Sequence, residues 1–251
     1  MNTSSATAEF VRGDYLTIGQ LASNLGWSVR FIEGLVRAER LPGLEINGAW
    51  HFRRVDVIEW LEQKIQTLDS NHVQELEKRV ETSLVADGTY RRAVATDRIT
   101  SRMPEEGIQL GVAVDHKTDV LKALVNLAER SGLVYDGDYL LSSLVDRERL
   151  SSTAMPGGVA LCHPRRPESI AISTQFVCLL RTANPVDFGA PDGRGTSVFF
   201  LLCAPDDRSH LYALARVARI LHNGALPAIM SAKNEAEVKQ AITAVENLIN
   251  D

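Results

Sequence analysis

Cysteine is scarce: Cys162, Cys178 and Cys203 are the three in 251 residues, they sit in apolar surroundings, and none has CxxC spacing. An odd, dispersed set argues against both a disulfide framework and a structural zinc site, so all three are expected to be reduced. Long apolar runs are missing too. No segment approaches the roughly 20 residues of a membrane span, and the opening MNTSSATAEF lacks the charged start and apolar stretch of a secretory leader. The expectation is a cytoplasmic protein with no membrane partner. Basic excess is also lacking, since 27 Lys and Arg against 32 Asp and Glu leave a net charge of -5. The chain as a whole has no nucleic-acid signature, and any DNA binding must be local. No internal repeat or low-complexity segment is visible.

What is present, 45% hydrophobic residues over 251 positions, suffices for one large domain or two small ones, and two is the better reading. Residues 1–13 are rich in Ser, Thr and Ala and are expected to be disordered. Residues 14–65 divide into short helices. Thr17 caps one carrying Ile18, Leu21, Ala22 and Leu25, Gly26 stops it, and Ser28 caps a second that turns Phe31, Ile32, Leu35 and Val36 inward until Pro42. LEINGAWHF then reads as a hairpin around Asn47-Gly48, and Val55, Ile58, Trp60 and Leu61 open a closing helix.

Residues 66–98 shift toward charge and read as a helical linker. SNHVQELEKRVETSL places Val73, Leu76, Val80 and Leu84 at helical spacing. Its plain reading is a helix packed on a neighbouring domain; the sharper one is a short coiled coil joining a homodimer. From residue 99 to 251, helical stretches (DVLKALVNLAERSGL, GDYLLSSLVDRERL, SHLYALARVARILHNG and a last helix capped by Asn234) alternate with the strand-like GGVALCH, SIAISTQFVCLL and TSVFFLLCA. That order implies an α/β (α+β) layer with a mixed sheet.

Helix, tight turn, helix and a small hairpin wing suit a DNA major groove. The run LTIGQLASNLGWSVRFIEGLVRAERLPGLEINGAWHFRRVDVIEWLE resembles the excisionase and MerR-like winged helix-turn-helix family. The resemblance implies that Ser28, Arg30 and Arg37 on the second helix face DNA, joined by Arg40, Asn47, Trp50, Arg53 and Arg54 from the turn and wing. Arginine suits the task because its guanidinium binds phosphate or guanine edges through paired bonds. The wing tip NGAW departs from the more basic tips of relatives, and Glu33, Glu39 and Glu45 offset the arginines, so a monomer is expected to bind weakly.

The second unit carries His163 directly after an apolar run and His210 at a helix start after a buried strand. Strand, turn and helix can deliver both imidazoles to one end of the sheet, with Arg147 as an anion partner and Ser152 and Thr153 as hydroxyl donors. A helix start itself favours anions. Two imidazoles, an arginine and hydroxyls suit phosphoryl transfer through a phosphohistidine, because a neutral imidazole has a free nitrogen to attack phosphorus. A Cys162/His163 nucleophile pair is disfavoured because adjacent strand residues face opposite ways. A zinc site of Cys162, His163 and His210 lacks motif spacing, so no metal is expected. His51, His72, His116 and His222 are assigned to surface or packing.

Arg147-Glu148, Ser152-Thr153, AMPGG, VAL, Cys162-His163 and His210-Leu211 occur in the order of the fructose/mannitol-type enzyme IIA domain of the bacterial phosphotransferase system, including its nitrogen-regulatory branch. Residues 99–251 resemble that family, with Cys162 in place of its usual proline. The resemblance implies a mixed-sheet α/β sandwich and a phosphoryl group on His163 received from phosphorylated HPr, with His210 and Arg147 assisting and no other cofactor. The combined expectation is a regulator that joins a DNA-binding unit to a phosphoacceptor. A phosphocarrier serving a separate sugar-transporter subunit, and a protein-binding regulator that is never phosphorylated, are the alternatives.

Overall fold

The computed structural model of the chain describes residues 15–38, 41–65, 68–86, 98–166 and 171–250. Its amino-terminal unit runs β1 (Tyr15–Thr17), α1 (Ile18–Leu25), α2 (Val29–Arg37), β2 (Leu44–Ile46), β3 (Ala49–Arg53) and α3 (Arg54–Lys64). Local chemistry sets the boundaries. The Thr17 hydroxyl accepts from the Gln20 amide while the Gln20 side chain accepts from the Thr17 amide, a reciprocal cap at the start of α1. Gly26 ends that helix at φ 74°, and the Ser28 hydroxyl accepts from the Phe31 amide to start α2. Asn47 and Gly48, at φ 52° and 77°, make the tight hairpin turn that the Asn-Gly pair favours.

Strand β1 was not expected; three residues are too few to show alternation, yet it pairs with β3 in the order β1-β3-β2. In α3 the buried residues are Val57, Trp60, Leu61 and Glu62, whereas Val55 is exposed and plays no part in opening the core face. Arg40 lies outside the described residues.

Helix α4 (Ser70–Ala86) follows, its first amides held by the Asp69 carboxylate, which accepts from Asn71 and His72. Val73, Leu76 and Val80 are buried within the chain, and α4 packs on both α1 and α7 (Asp207–His222). The dimerising coiled coil is unsupported: Val73, Leu76 and Val80 are covered within the chain, where the plainer reading of α4 puts them.

The carboxy-terminal unit begins with a 3₁₀ turn, Ile99–Arg102, and β4 (Ile108–Val112). It continues through α5 (Lys117–Arg130), α6 (Gly137–Leu150), β5 (Ala154–Met155), β6 (Val159–Cys162), β7 (Phe176–Val186), β8 (Thr196–Cys203), α7, α8 (Ala225–Ser231) and α9 (Glu235–Asn250). Five strands form a mixed sheet in the order β4-β7-β8-β6-β5; β4 runs parallel to β7 and β6 parallel to β8, and the other two pairs are antiparallel. The segment 171–175, expected to be strand, precedes β7, which starts at Phe176.

Strand alternation divides the core into two layers. Ala160, Cys162, Cys178, Leu180, Phe199 and Leu201 pack against α5 and α6. Val159, Leu161, Val177, Leu179, Val198 and Phe200 face the other way, into one apolar cluster that holds α7, α8 and α9 and continues through α4 into the amino-terminal unit. The two units therefore share a continuous core across α4.

Candidate functional site

At the ends of β6 and β8 the chain brings four polar side chains together. Gly157 and Gly158, both at positive φ, make the turn that feeds β6. His163 follows Cys162 at the end of that strand. Because side chains alternate, Cys162 packs toward α5 and α6, and burial pushes its thiol pKa well above the ordinary value, so it is no nucleophilic partner for His163. His210 stands in the first turn of α7, and the two imidazole centroids are 4.8 Å apart at 48°. Arg147 comes from the last turn of α6.

The fourth group is Glu62, carried by α3 of the amino-terminal unit. Its Oε1 accepts from His210 Nε2 at 2.9 Å and lies 3.9 Å from His163 Nδ1, while its Oε2 is 3.4 Å from Arg147 Nε. All four side chains are buried: His163, His210 and Arg147 are 2% exposed and Glu62 is 4% exposed. Arg147 donates to the Ser151 carbonyl at 3.1 Å, but its Nε, although near Glu62, has no hydrogen-bond partner among the described residues.

Electrostatics follow from that burial. Desolvation pushes the pKa of His163 down to about 3, with His210 and Arg147 adding to the effect and Glu62 opposing it, so at neutral pH the ring is uncharged. Nδ1 lies 3.1 Å from the Pro164 carbonyl oxygen, which can only accept; this assigns the proton to Nδ1 and leaves the lone pair on Nε2. Burial alone would raise the pKa of Glu62, but the hydrogen bond from His210 and the charge of Arg147 oppose it, and the carboxyl is held below its usual value. With His163 neutral, Arg147 is the permanent cation beside Glu62. Glu62, His163 and His210 offer three metal-type ligand atoms within 4.8 Å of one another. The Arg147 guanidinium lies beside the same group, 3.4 Å from the Glu62 carboxylate.

The hydroxyls near the site are already engaged. The Ser152 hydroxyl donates to the Phe188 carbonyl at 2.6 Å. Thr153 donates its hydroxyl to Glu148 at 2.7 Å and its amide to the same carboxylate at 3.2 Å, and Lys117 holds Glu148 from the other side at 3.0 Å. Glu148 thus fixes the turn after α6. The free amides expected at the start of α7 are also in use, since the Asp206 carboxylate accepts from Arg208 and Ser209 at 3.0 Å each. That helix start is capped by the chain's own anion and does not await another.

On the amino-terminal unit, Arg30 and Arg37 are exposed on α2; Arg37 lies 3.8 Å from Glu33. Arg53 forms a two-pronged pair with Asp56 at 2.5 and 2.8 Å, and Arg54 borders a groove shared with Asp206 and Asp207. Ser28 caps α2, Asn47 makes the wing turn, and Trp50 packs over Gly43. Glu62 went unnoticed in the sequence. Its signal was an acid among buried apolar residues of α3, spaced with Ile58 and Ile65 on one face.

Among the described residues no helix is long and apolar enough to cross a membrane. Residues 102–245 match the family described as phosphoenolpyruvate-dependent sugar phosphotransferase system, EIIA 2, and residues 15–65 match a helix-turn-helix domain family. A nitrogen regulatory protein of Bradyrhizobium diazoefficiens is 31% identical over 150 residues, covering 59% of this chain and 95% of that protein. The fructose-specific EIIA component of Haloferax volcanii is 26% identical over 150 residues, covering 59% and 96%. The crystal structure of the nitrogen regulatory protein IIA-Ntr from Neisseria meningitidis superposes with a TM-score of 0.52 at 27% identity, covering 57% of this chain and 98% of the other.

Proposed function

The chain belongs to the phosphoenolpyruvate-dependent sugar phosphotransferase system EIIA 2 family and carries an amino-terminal helix-turn-helix domain, and on that basis we propose that it is a cytoplasmic regulator phosphorylated on His163 by an HPr-type carrier and bound to DNA through α2 and its wing. The observation that carries the reading is the convergence of His163, His210 and Arg147 at the strand ends, with a neutral imidazole whose Nε2 holds the lone pair.

In the transfer, His163 Nε2 attacks the phosphorus of the carrier's phosphohistidine. The new N–P bond forms as the carrier's N–P bond breaks, and the carrier ring keeps the electron pair. The Nδ1 proton stays in place, bonded to the Pro164 carbonyl. Arg147 and the N–H of His210 offset the charge spread over the transferred oxygens, so the residues supply alignment and charge stabilisation. Ser152 and Thr153 support the site by fixing the turn beside it through Phe188 and Glu148. On the DNA side, Arg30 is the first candidate for a groove contact and the exposed wing arginines are candidates for phosphate contacts.

The contact between the acceptor site and the DNA-binding unit favours this regulatory reading over a plain phosphocarrier. The test is incubation with a radiolabelled, phosphorylated HPr-type donor. Label is expected on wild type and absent from His163→Ala; equal label on both overturns the reading, as does the absence of label from wild type and Glu62→Ala alike.

A further inference from the structure

The acceptor site is closed by a carboxylate that belongs to the chain's other unit. We propose that Glu62 is an internal competitor of the phosphoryl group: held by Arg147 and His210, it seals His163, so that docking of the helix-turn-helix unit and phosphorylation of His163 exclude each other. This inference rests on His163 as the phosphoacceptor and adds the regulation of that site.

Four observations support it. The first is chemical kind. The Glu62 oxygens take the guanidinium and the imidazole N–H that a phosphoryl group on His163 would need, at 3.4 and 2.9 Å. One carboxylate and one phosphoryl group cannot both be satisfied by this pair, and two buried anions left to share it repel strongly in a site without water. The second is access. His163 is 2% exposed, so a donor protein cannot bring its own phosphohistidine to Nε2 while α3 is in place.

The third is incomplete satisfaction. Arg147 Nε approaches Glu62 without making a hydrogen bond and has no other such partner among the described residues, so the carboxylate fills the site imperfectly. A tetrahedral phosphoryl oxygen offers more acceptor positions to the same guanidinium. The fourth is the seam itself. A groove bordered by Val55, Ile58, Glu59, Arg165, Arg166 and Asp207 runs beside Glu62 between the units, so this edge of the contact is not closed by packing.

When α3 leaves, phosphorus passes from the donor ring nitrogen to His163 Nε2 as described above, with one N–P bond made and one broken. The product adds about two negative charges to a ring whose Nδ1 lies 3.9 Å from the Glu62 carboxylate in the docked form. Linkage makes the effect reciprocal: whatever holds the helix-turn-helix unit away from the site raises phosphorylation by the same factor that phosphorylation raises its release.

The experiment uses the full chain with Glu62→Ala, the isosteric Glu62→Gln and wild type, each incubated with the radiolabelled phosphorylated HPr-type donor. Hydrogen exchange of residues 54–64 is followed in parallel, with β7 and β8 amides as the control for folding. The initial rate of His163 labelling is expected to rise at least tenfold in Glu62→Ala and severalfold in Glu62→Gln. Labelled wild type is expected to exchange faster over 54–64 than unlabelled. If Glu62→Ala loses protection in β7 and β8, the Gln variant decides alone. Equal labelling rates and equal exchange in all three proteins overturn the gate and leave the phosphoacceptor reading standing. No His163 label even with Glu62 replaced overturns both.

Discussion

Two buried glutamates, Glu62 on α3 and Glu77 on α4, reach from the first third of the chain to the carboxy-terminal unit, and their partners differ. Glu77 accepts from Arg216 at 2.7 Å and from Arg219 at 3.1 Å, so one carboxylate meets two guanidinium groups. Arg216 is shared in turn with Glu246 at 3.9 Å, which holds the Ile99 amide and the Thr100 hydroxyl. Glu62 meets a single guanidinium, without a hydrogen bond, and imidazoles. A carboxylate between permanent cations stays paired at any moderate pH. One that relies on imidazoles is held only under the conditions that keep the site intact. The α4 contact is thus a fixed joint and the α3 contact a conditional one.

The comparison breaks first if the two glutamates prove equivalent in stability. Removing one partner of a buried ion pair costs about 3–5 kcal/mol. Glu77→Ala is therefore expected to lower the melting temperature by roughly 10 °C in a chain of this size. Glu62→Gln, which keeps the hydrogen-bonding shape, is expected to lower it by less than half as much, and calorimetry on the two variants reads the difference. A larger drop for Glu62→Gln would invert the assignment of joint and gate.

Acid is expected to open the conditional contact next. His163 is held neutral, its pKa down to about 3 from an ordinary 6.5, so between those values the released ring takes a proton that the docked ring excludes. Docking is fully favourable above pH 6.5, and its equilibrium constant falls about tenfold per pH unit below that. Glu62, whose pKa is depressed in the docked form, acts in the same direction: its contribution is present above its ordinary value and is lost as pH falls through the docked value. Arg147 and His210 face the same carboxylate from α6 and α7. Hydrogen exchange over 54–64, corrected for intrinsic rates, is expected to be about tenfold faster at pH 5.5 than at pH 7.5. Flat behaviour there would remove the imidazoles from the account.

The smallest effect is expected at the DNA face. Arg30→Ala should weaken binding to selected genomic fragments severalfold and reduce the salt slope by about 1. Arg37→Ala should do less, because Arg37 is partly engaged by Glu33 at 3.8 Å. Identical losses would mean that the α2 surface is not read as described.

Legibility in the sequence followed the range of the interaction. The caps at Thr17, Ser28 and Asn234, the Asn47-Gly48 turn, and the full extent of α6 are local matters, decided within a few residues, and the sequence reading agrees with the structure there. Strands β1, β4 and β5 and helix α8 went unread. They span three, five, two and seven residues, too short for a periodic signal, and the strands owe their form to neighbours already in place. His163 and His210 were legible as candidates because each follows a recognisable buried strand.

The sequence by itself determined the two units, their caps and turns, and which imidazoles stand at the strand ends, because each depends on chain neighbours and on periodic burial. Both buried acids were passed over, although their spacing carries a signal. Glu62 lies between Ile58 and Ile65, and Glu77 between Val73 and Val80, at the same helical spacing. What the acids meet was decided only by the tertiary structure. Packing of α4 against α7 sets Glu77 between two arginines and carries α3 to the strand ends, and the pairing of Glu62 with His210 spans 148 positions of chain. A pairing over that distance depends on how helices dock, and docking follows from the shared apolar core, which no local pattern specifies.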